Sequence, residues 1–179
     1  MIRYHDREWG VPVRRDKRMF EFLILESFQA GLSWRTVLHK REHFRTAFAN
    51  FAVDRVAAFT GRDVRRLMND AGIIRNRLKI LAAINNAQRF IEVQQEFRTF
   101  TAYLWSFVQQ RPIQNAWSVS SQIPAVTPLA ETIAADLKRR GFKFLGPTVV
   151  YAHLQATGLV NDHLTTCFRY RQRGGGKRR

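Results

Sequence analysis

The chain has 179 residues, of which 45% are hydrophobic and 12% aromatic, enough to bury the core of one ordinary domain and too many for a disordered basic chain. Its 30 lysines and arginines against 14 aspartates and glutamates give a net charge of +16. Such a charge favours a polyanionic partner, most often nucleic acid; an arginine-rich protein without such a partner is the alternative.

The lone Cys167 excludes an internal disulfide and favours a reducing compartment. No apolar stretch reaches the roughly 20 residues that cross a bilayer, and the N-terminus lacks a signal-peptide core. We therefore expect a cytoplasmic monomer without a membrane partner.

Helical periodicity dominates the first half of the chain, and it predicts an all-α fold: a compact helical domain, with two lobes as a possible variant. The run from Met19 to Gln29 is apolar around most of its circumference, which predicts a buried helix. Ser33 is a predicted cap of a helix that continues to about Phe48, and Asp54 and Thr60 are predicted caps of two shorter helices.

The second half of the chain continues the helical pattern. Apolar residues at helical spacing predict one long helix: Ile80, Ala83, Ile84, Ala87 and Ile91. Further helices are predicted over residues 100–108, 128–140 and 147–158, with a connecting segment at 109–126. The basic Gly/Arg-rich residues 169–179 are predicted to form a disordered tail after a domain of residues 1–168.

A short turn between two predicted helices, Gly141 to Gly146, lies beside basic residues that include Lys143. The backbone N–H groups of such a turn, and of the helix after it, bind phosphate oxygens well. The sequence therefore predicts contacts with a nucleic-acid backbone from Gly141, Lys143 and Gly146. An ordinary helix end with a solvated basic face is the alternative.

A second break between helices has the sequence Gln29-Ala30-Gly31-Leu32. Proteins that unstack a base pair often insert an apolar side chain from such a mount, and Leu32 is the candidate. In the alternative interpretation, the segment only connects two helices and Leu32 belongs to the core.

A carboxylate near the end of the buried helix, Glu26, is costly unless it serves a purpose. Tyr4, Trp9 and Trp34 are the aromatic residues near it in sequence. Aromatic faces stack on a flat or cationic ring, while a carboxylate accepts hydrogen bonds from the ring's edge. These residues are candidates for a base-binding pocket; core packing of the aromatics is the alternative.

Metal ligation is a further possibility at the C-terminal end of the domain. His163 and Cys167 stand at i and i+4, which would place both on one face of a helix, and His5 is a candidate third ligand. Asp162 could orient an imidazole or activate water. A histidine satisfied within the fold is the alternative.

Taken together, these residues resemble the bacterial 3-methyladenine DNA glycosylase I family, of the helix-hairpin-helix glycosylase superfamily. The resemblance extends in register from the first residues to about Cys167. The matching stretches are Tyr4–Pro12, Leu25–Trp34, Asp70–Arg75, Trp105–Val108, Lys138–Gly146 and Gly158–His163.

The resemblance implies a fold of the helix-hairpin-helix glycosylase type and a monofunctional hydrolase. This enzyme would cleave the N-glycosidic bond of 3-methyladenine in alkylated double-stranded DNA and leave an abasic site. Glu26 would be the catalytic carboxylate that contacts the flipped base, with Tyr4, Trp9 and Trp34 around the base. The segment Gln29 to Leu32 would fill the gap in the duplex.

The resemblance also implies a structural zinc ion, with His5, His163 and Cys167 as three of four ligands. Members usually begin with a further element, Arg-Cys-x-Trp, whose cysteine is the fourth ligand, and the residues before His5 do not contain it. A DNA-binding module with the same fold and impaired catalysis is therefore the rival hypothesis, and an unrelated RNA-binding protein is a more distant one.

Overall fold

The computed structural model describes residues 1–173, and these residues form a mostly helical domain. The helices, in chain order, are α1 (Ile2–Arg7), α2 (Asp16–Gln29), α3 (Trp34–His39), α4 (Arg41–Ala47), α5 (Val53–Ala57), α6 (Gly61–Met68), α7 (Arg77–Phe97), α8 (Phe100–Ser106), α9 (Pro128–Arg139), α10 (Pro147–Ala156) and α11 (Phe168–Arg173). The all-α prediction is confirmed.

Helix α2 runs through the centre of the domain, as the burial of every residue from 19 to 28 shows. It packs against α3, α7, α8 and α10. One apolar core surrounds it and contains several pairs of phenylalanine rings. Phe20 meets Phe90 edge to face at 5.2 Å, and Phe90 stacks on Phe100 at 4.1 Å. Residues of α2 are therefore at the centre of the domain and are held from several sides.

Some helix ends follow the predicted caps and others do not. Thr60 forms a capping box with Asp63 at the start of α6, and Thr127 caps α9, as predicted. Asp54 is not a cap, because α5 begins at Val53 after Ala52. The single helix predicted from Ser33 to Phe48 is wrong: its two halves meet at Lys40, which ends α3 and precedes α4.

The connecting segment at 109–126 contains more regular structure than expected. Ile113–Gln114 (β1) pairs in parallel with Val160–Asn161 (β2), and residues 120–122 form a turn of 3-10 helix. Strands of two residues are too short to show the alternation of apolar and polar residues from which strands are predicted. This pairing fixes the segment next to the residues that precede His163.

The C-terminal residues 168–173 are helical, whereas the sequence predicted disorder from residue 169. Contacts with the domain account for the difference: Asn161 donates to the carbonyl of Tyr170 at 3.1 Å, and the amide of Arg169 donates to Cys167 Sγ at 3.4 Å. Residues 174–179 of the predicted tail lie outside the described part of the chain. Within that part, every helix is too short or too polar to cross a membrane.

Candidate active site: a buried glutamate in an aromatic cavity

A cavity of about 240 Å³ opens beside the C-terminal half of α2. Five elements contribute to its wall: α1, the turn after it, α2, the start of α3, and α10. The lining residues are Tyr4, Trp9, Glu26, Gln29, Trp34, Ala152 and Gln155. The four residues predicted to bind a base are thus brought together, and α10 adds two residues that sequence reasoning did not select.

Glu26 is the chemically unusual residue of this wall. It is 4% exposed, and none of the described residues donates a hydrogen bond to its carboxylate. Burial raises the pKa of Glu26 to about 8, because removal from water penalises the charged form. A ligand that brings hydrogen-bond donors or positive charge into the cavity would favour the ionised carboxylate.

The aromatic residues form a partial enclosure around this carboxylate. The rings of Tyr4 and Trp34 lie 5.4 Å apart, tilted by 49°. The indole N–H of Trp34 is buried and meets no acceptor among the described residues. Burial, followed by the charge of Glu26, raises the pKa of the Tyr4 hydroxyl, so this group stays protonated as a donor. The cavity offers flat apolar faces together with a few polar atoms.

The turn predicted to enter the duplex lies next to the cavity, through its shared residue Gln29. Gln29 Nε2 donates to the carbonyl of Leu32 at 2.8 Å, and the amide of Leu32 donates back to the carbonyl of Gln29 at 2.7 Å. Lys79 Nζ donates to the carbonyl of Ala30 at 2.5 Å. Leu32 is 40% exposed, so the alternative that it belongs to the core is wrong.

The predicted hairpin lies between α9 and α10. Gly141 has a φ of +86°, the left-handed conformation expected of a residue just after a helix. The amides of Phe144, Leu145 and Gly146 donate to no acceptor among the described residues. Lys143, Phe144 and Gly146 are exposed, whereas Leu145 is buried, so this surface offers a lysine and the amides of two exposed residues to an anion.

Two asparagines of α7 hold this hairpin, and neither was predicted from the sequence. Asn86, fully buried, accepts from the amide of Lys143 and donates to its carbonyl, both at 2.8 Å. Asn85 donates to the carbonyl of Gly141 at 2.8 Å. These bonds join residues more than fifty positions apart, a separation that local sequence patterns do not encode.

His5, His163 and Cys167 come together, with their ligand atoms all within 4.8 Å of one another. His5 Nε2 lies 3.6 Å from Cys167 Sγ, and ligand atoms around a tetrahedral zinc ion stand roughly 3.3–3.8 Å apart. The helical argument for their proximity was wrong, because residues 162–167 form a turn rather than a helix.

Both histidines of this cluster have an oxygen acceptor on the other ring nitrogen. His5 Nδ1 donates to Asp6 at 2.8 Å and His163 Nδ1 donates to Asn161 at 2.7 Å. These partners orient both imidazoles with Nε2 as the basic nitrogen, the usual arrangement around a metal ion. The donor set, its spacing and its second layer fit zinc. Trp9 lies against His163, with ring centroids 4.5 Å apart, so the cluster adjoins the cavity.

Asp162 is fully engaged in hydrogen bonds and does not activate water. Its Oδ1 accepts from Asn115 at 2.7 Å and Trp117 at 2.6 Å, and its Oδ2 accepts from Tyr151 at 2.5 Å and Gln155 at 2.7 Å. A carboxylate has about four lone-pair sites, so the set is complete. Asp162 instead connects the segment around Trp117 to a residue of the cavity wall.

Known proteins resemble this chain over most of its length. The sequence profile of the methyladenine glycosylase family matches residues 1–170. DNA-3-methyladenine glycosylase 1 of Escherichia coli is 47% identical over 169 residues, which cover 94% of this chain and 90% of that protein. A crystal structure of 3-methyladenine DNA glycosylase I, 47% identical, superposes with a TM-score of 0.91 over 93% of this chain and 92% of that one.

A third relative is 3-methyladenine DNA glycosylase I from Staphylococcus aureus, whose structure was solved to describe 3-methyladenine recognition. It is 40% identical, covers 93% of this chain and 89% of its own, and has a TM-score of 0.91. Sequence and structure thus point to the same group of proteins over nearly the whole chain.

Proposed function

The chain belongs to the methyladenine glycosylase family, and we propose that it excises 3-methyladenine from alkylated DNA by hydrolysing the N-glycosidic bond. The observation that carries this proposal is the buried Glu26 carboxylate, which receives no hydrogen bond from the described residues and lies in the wall of an aromatic cavity. The product of the reaction is free 3-methyladenine and an abasic site in the DNA.

The chemistry of the substrate explains why so few catalytic groups are needed. Methylation at N3 gives the base a formal positive charge, so the base leaves the sugar as a neutral species without strong acid catalysis. The methylated base is also cheaper to extrude, since its pairing is already weakened. The chain must therefore flip the base, hold it and admit water to the sugar.

Glu26 recognises the edge of the flipped base in this proposal, and Tyr4, Trp9 and Trp34 provide the surrounding aromatic faces. A cationic ring stabilises the ionised form of a carboxylate whose pKa burial raises to about 8. Glu26 is buried, so water screens this interaction less than it would at the surface. Water then attacks the sugar as positive charge develops there. Asp162 takes no part in this attack because its oxygens already accept four hydrogen bonds.

Binding to double-stranded DNA is assigned to two segments. Leu32, presented by the turn that begins at Gln29, fills the space left by the flipped base. The hairpin from Gly141 to Gly146 holds a phosphate through its unpaired amides, with Lys143 beside it, in the manner of a helix-hairpin-helix. The net charge of +16 supports such a partner.

Zinc is the cofactor we propose, held by His5, His163 and Cys167 in a structural role. Its contribution is to join the two ends of the described chain beside Trp9, which lines the cavity. A monomer acting on chromosomal DNA in the cytoplasm is the simplest setting for this enzyme.

The test is base release from methylated duplex DNA, followed by chromatography of the released bases. The wild-type chain should release 3-methyladenine, and Glu26→Gln should release it at least about a hundredfold more slowly, because the neutral amide cannot match a cationic base. Glu42→Gln is the matched control, since Glu42 lies on the surface of α4 and its side chain is 78% exposed.

Salt-sensitive DNA binding without any released base would overturn the proposal and support the rival hypothesis of a catalytically impaired binding module. Equal rates for wild type and Glu26→Gln would overturn the role of Glu26 while leaving the activity in place.

A further inference from the structure

Gln155 is a residue of the cavity wall whose side-chain amide is held in one orientation by a group outside the lining. The amide of Gln29, held by the carbonyl of Leu32, is the other. Gln155 belongs to α10 and lines the cavity. Its Nε2 donates to Asp162 Oδ2 at 2.7 Å. A carboxylate only accepts hydrogen bonds, so this contact decides which end of the amide is nitrogen and which is oxygen.

Asp162 can impose this orientation because it is itself immobilised. It is 2% exposed, and three further donors hold it: Asn115, Trp117 and Tyr151. Rotation of the Gln155 amide would place its oxygen against the carboxylate and would break a buried hydrogen bond. The amide of Gln155 therefore directs its oxygen, Oε1, away from Asp162, and no donor among the described residues satisfies that oxygen. Because the side chain lines the cavity, this oxygen is the acceptor that it can offer to a bound base.

An acceptor oxygen in the cavity wall would attract position 6 of adenine and repel position 6 of guanine. Adenine carries an exocyclic amine at position 6, a donor, whereas guanine carries a carbonyl oxygen there, an acceptor. An immobile acceptor in the wall attracts the first and repels the second. A site built to pair with one polar group discriminates strongly against an analogue that cannot pair.

We propose that Gln155, held by Asp162, is a specificity-determining residue that selects 3-methyladenine over 3-methylguanine by accepting a hydrogen bond from the 6-amino group. Asp162 is the corresponding positioning residue. The inference rests on the proposed function, and it adds a base-edge contact from α10 to the contact from Glu26 on α2.

Substitution of Asp162 by asparagine should reverse the orientation. Asn115 and Trp117 both donate to Oδ1, so asparagine at position 162 keeps its oxygen on that side and places its amide nitrogen next to Gln155. Gln155 must then rotate to accept from this nitrogen, and its own N–H groups enter the cavity. Those groups suit the 6-oxo group of guanine.

The experiment uses the full chain and duplex DNA treated with a methylating agent, and it measures the ratio of released 3-methyladenine to released 3-methylguanine. Gln155→Met, which keeps the length of the side chain, should lower this ratio at least about tenfold. Asp162→Asn should lower it further. Gln88→Met is the control, because Gln88 is exposed on α7, outside the cavity lining, where its amide donates to the carbonyl of Ala57 at 3.1 Å.

The ratio separates specificity from damage to the fold, since a partly unfolded enzyme releases both bases more slowly without changing their proportion. An unchanged ratio in Gln155→Met would overturn the proposal. An unchanged ratio in Asp162→Asn with a wild-type melting temperature would overturn the positioning role. Absence of 3-methyladenine release by the wild-type chain would instead overturn the proposed function.

Discussion

Glu21 and Glu26 lie on the same helix and are almost equally buried, at 6% and 4% exposure, yet their surroundings are opposite. Glu21 accepts hydrogen bonds from Arg18, Arg41 and Arg45 at 2.6–2.9 Å. Glu26 accepts none from the described residues. The fold is therefore able to satisfy a buried carboxylate on α2, and it does so at one position and not at the other.

The pKa shifts follow this difference. Burial acts to raise the pKa of both groups, but at Glu21 the hydrogen bonds and charges of the arginines outweigh it and hold the pKa below its ordinary value. At Glu26 burial acts alone and raises the pKa to about 8. Burial of a charge is thus not by itself a sign of function; burial without partners, next to a cavity, is the more informative observation.

The largest expected effect is the pH dependence that Glu26 imposes on stability. Its folded-state pKa lies above its ordinary value of 4.5, so folding favours the protonated form, and stability falls as pH rises between 4.5 and 8. Relative to Glu26→Gln, the wild-type free energy of unfolding should fall by roughly 4 kcal/mol between pH 5 and pH 9. Urea denaturation at both pH values measures this difference.

Glu42→Gln should follow the wild-type pH curve in the same experiment. A curve for Glu26→Gln that runs parallel to the wild type would mean that Glu26 has partners in the folded chain and would remove the contrast with Glu21.

The next effect concerns Glu21. Its substitution should lower the stability of the fold and leave the rate of base release by the folded protein unchanged. Glu21→Gln leaves Arg41, itself 5% exposed, without one of its two carboxylate partners. We expect destabilisation of about 3 kcal/mol at pH 7, with base release per folded molecule unchanged. This contribution should also vanish in acid, as pH falls below 4.5 through the depressed pKa of Glu21. Wild-type stability together with lost base release would reverse the assigned roles of the two glutamates.

A smaller effect is expected at the end of α2, where Lys79 is a buried cation with protein partners. Its ammonium group donates to the carbonyls of Phe28 and Ala30 at 2.9 and 2.5 Å. Lys79→Met removes both bonds and should cost about 1–2 kcal/mol. Hydrogen exchange at the amide of Leu32 should also become faster if these bonds hold the turn. Unchanged exchange would show that the turn is held by its own two hydrogen bonds.

The smallest effect is expected on the surface. Glu42 pairs with Arg45 at 2.5 Å, but its side chain is 78% exposed. Glu42→Gln should change the free energy of unfolding by less than about 0.5 kcal/mol, because water and salt screen the pair. A change as large as that of Glu21→Gln would mean that the whole arginine cluster acts as one network.

Sequence reasoning succeeded where the signal was local. The periodic stripe of α7, the Thr127 cap of α9 and Gly141 after it were all predicted. Glu26 stood out because a carboxylate interrupts an apolar helix, a feature visible without any structure.

Features that depend on contacts between distant segments were missed. The orientation of Gln155 depends on its hydrogen bond to Asp162. Asp162 is in turn held by Asn115 and Trp117, which belong to a segment that looks irregular in sequence. The break at Lys40 was missed because the residues on either side keep a helical pattern. Tertiary contacts decide such points, and one sequence does not record them.

The central claim is that the described residues leave Glu26 without a hydrogen-bond partner in the cavity that receives the flipped base. A carbon-13 NMR titration of the Glu26 side-chain carboxyl tests it most directly, with Glu26→Gln used to assign the signal. The predicted midpoint is about 8 in the free protein, and added 3-methyladenine should lower it by supplying hydrogen-bond donors. A midpoint at the ordinary value for glutamate, near 4.5, and unchanged by the base, would contradict the claim.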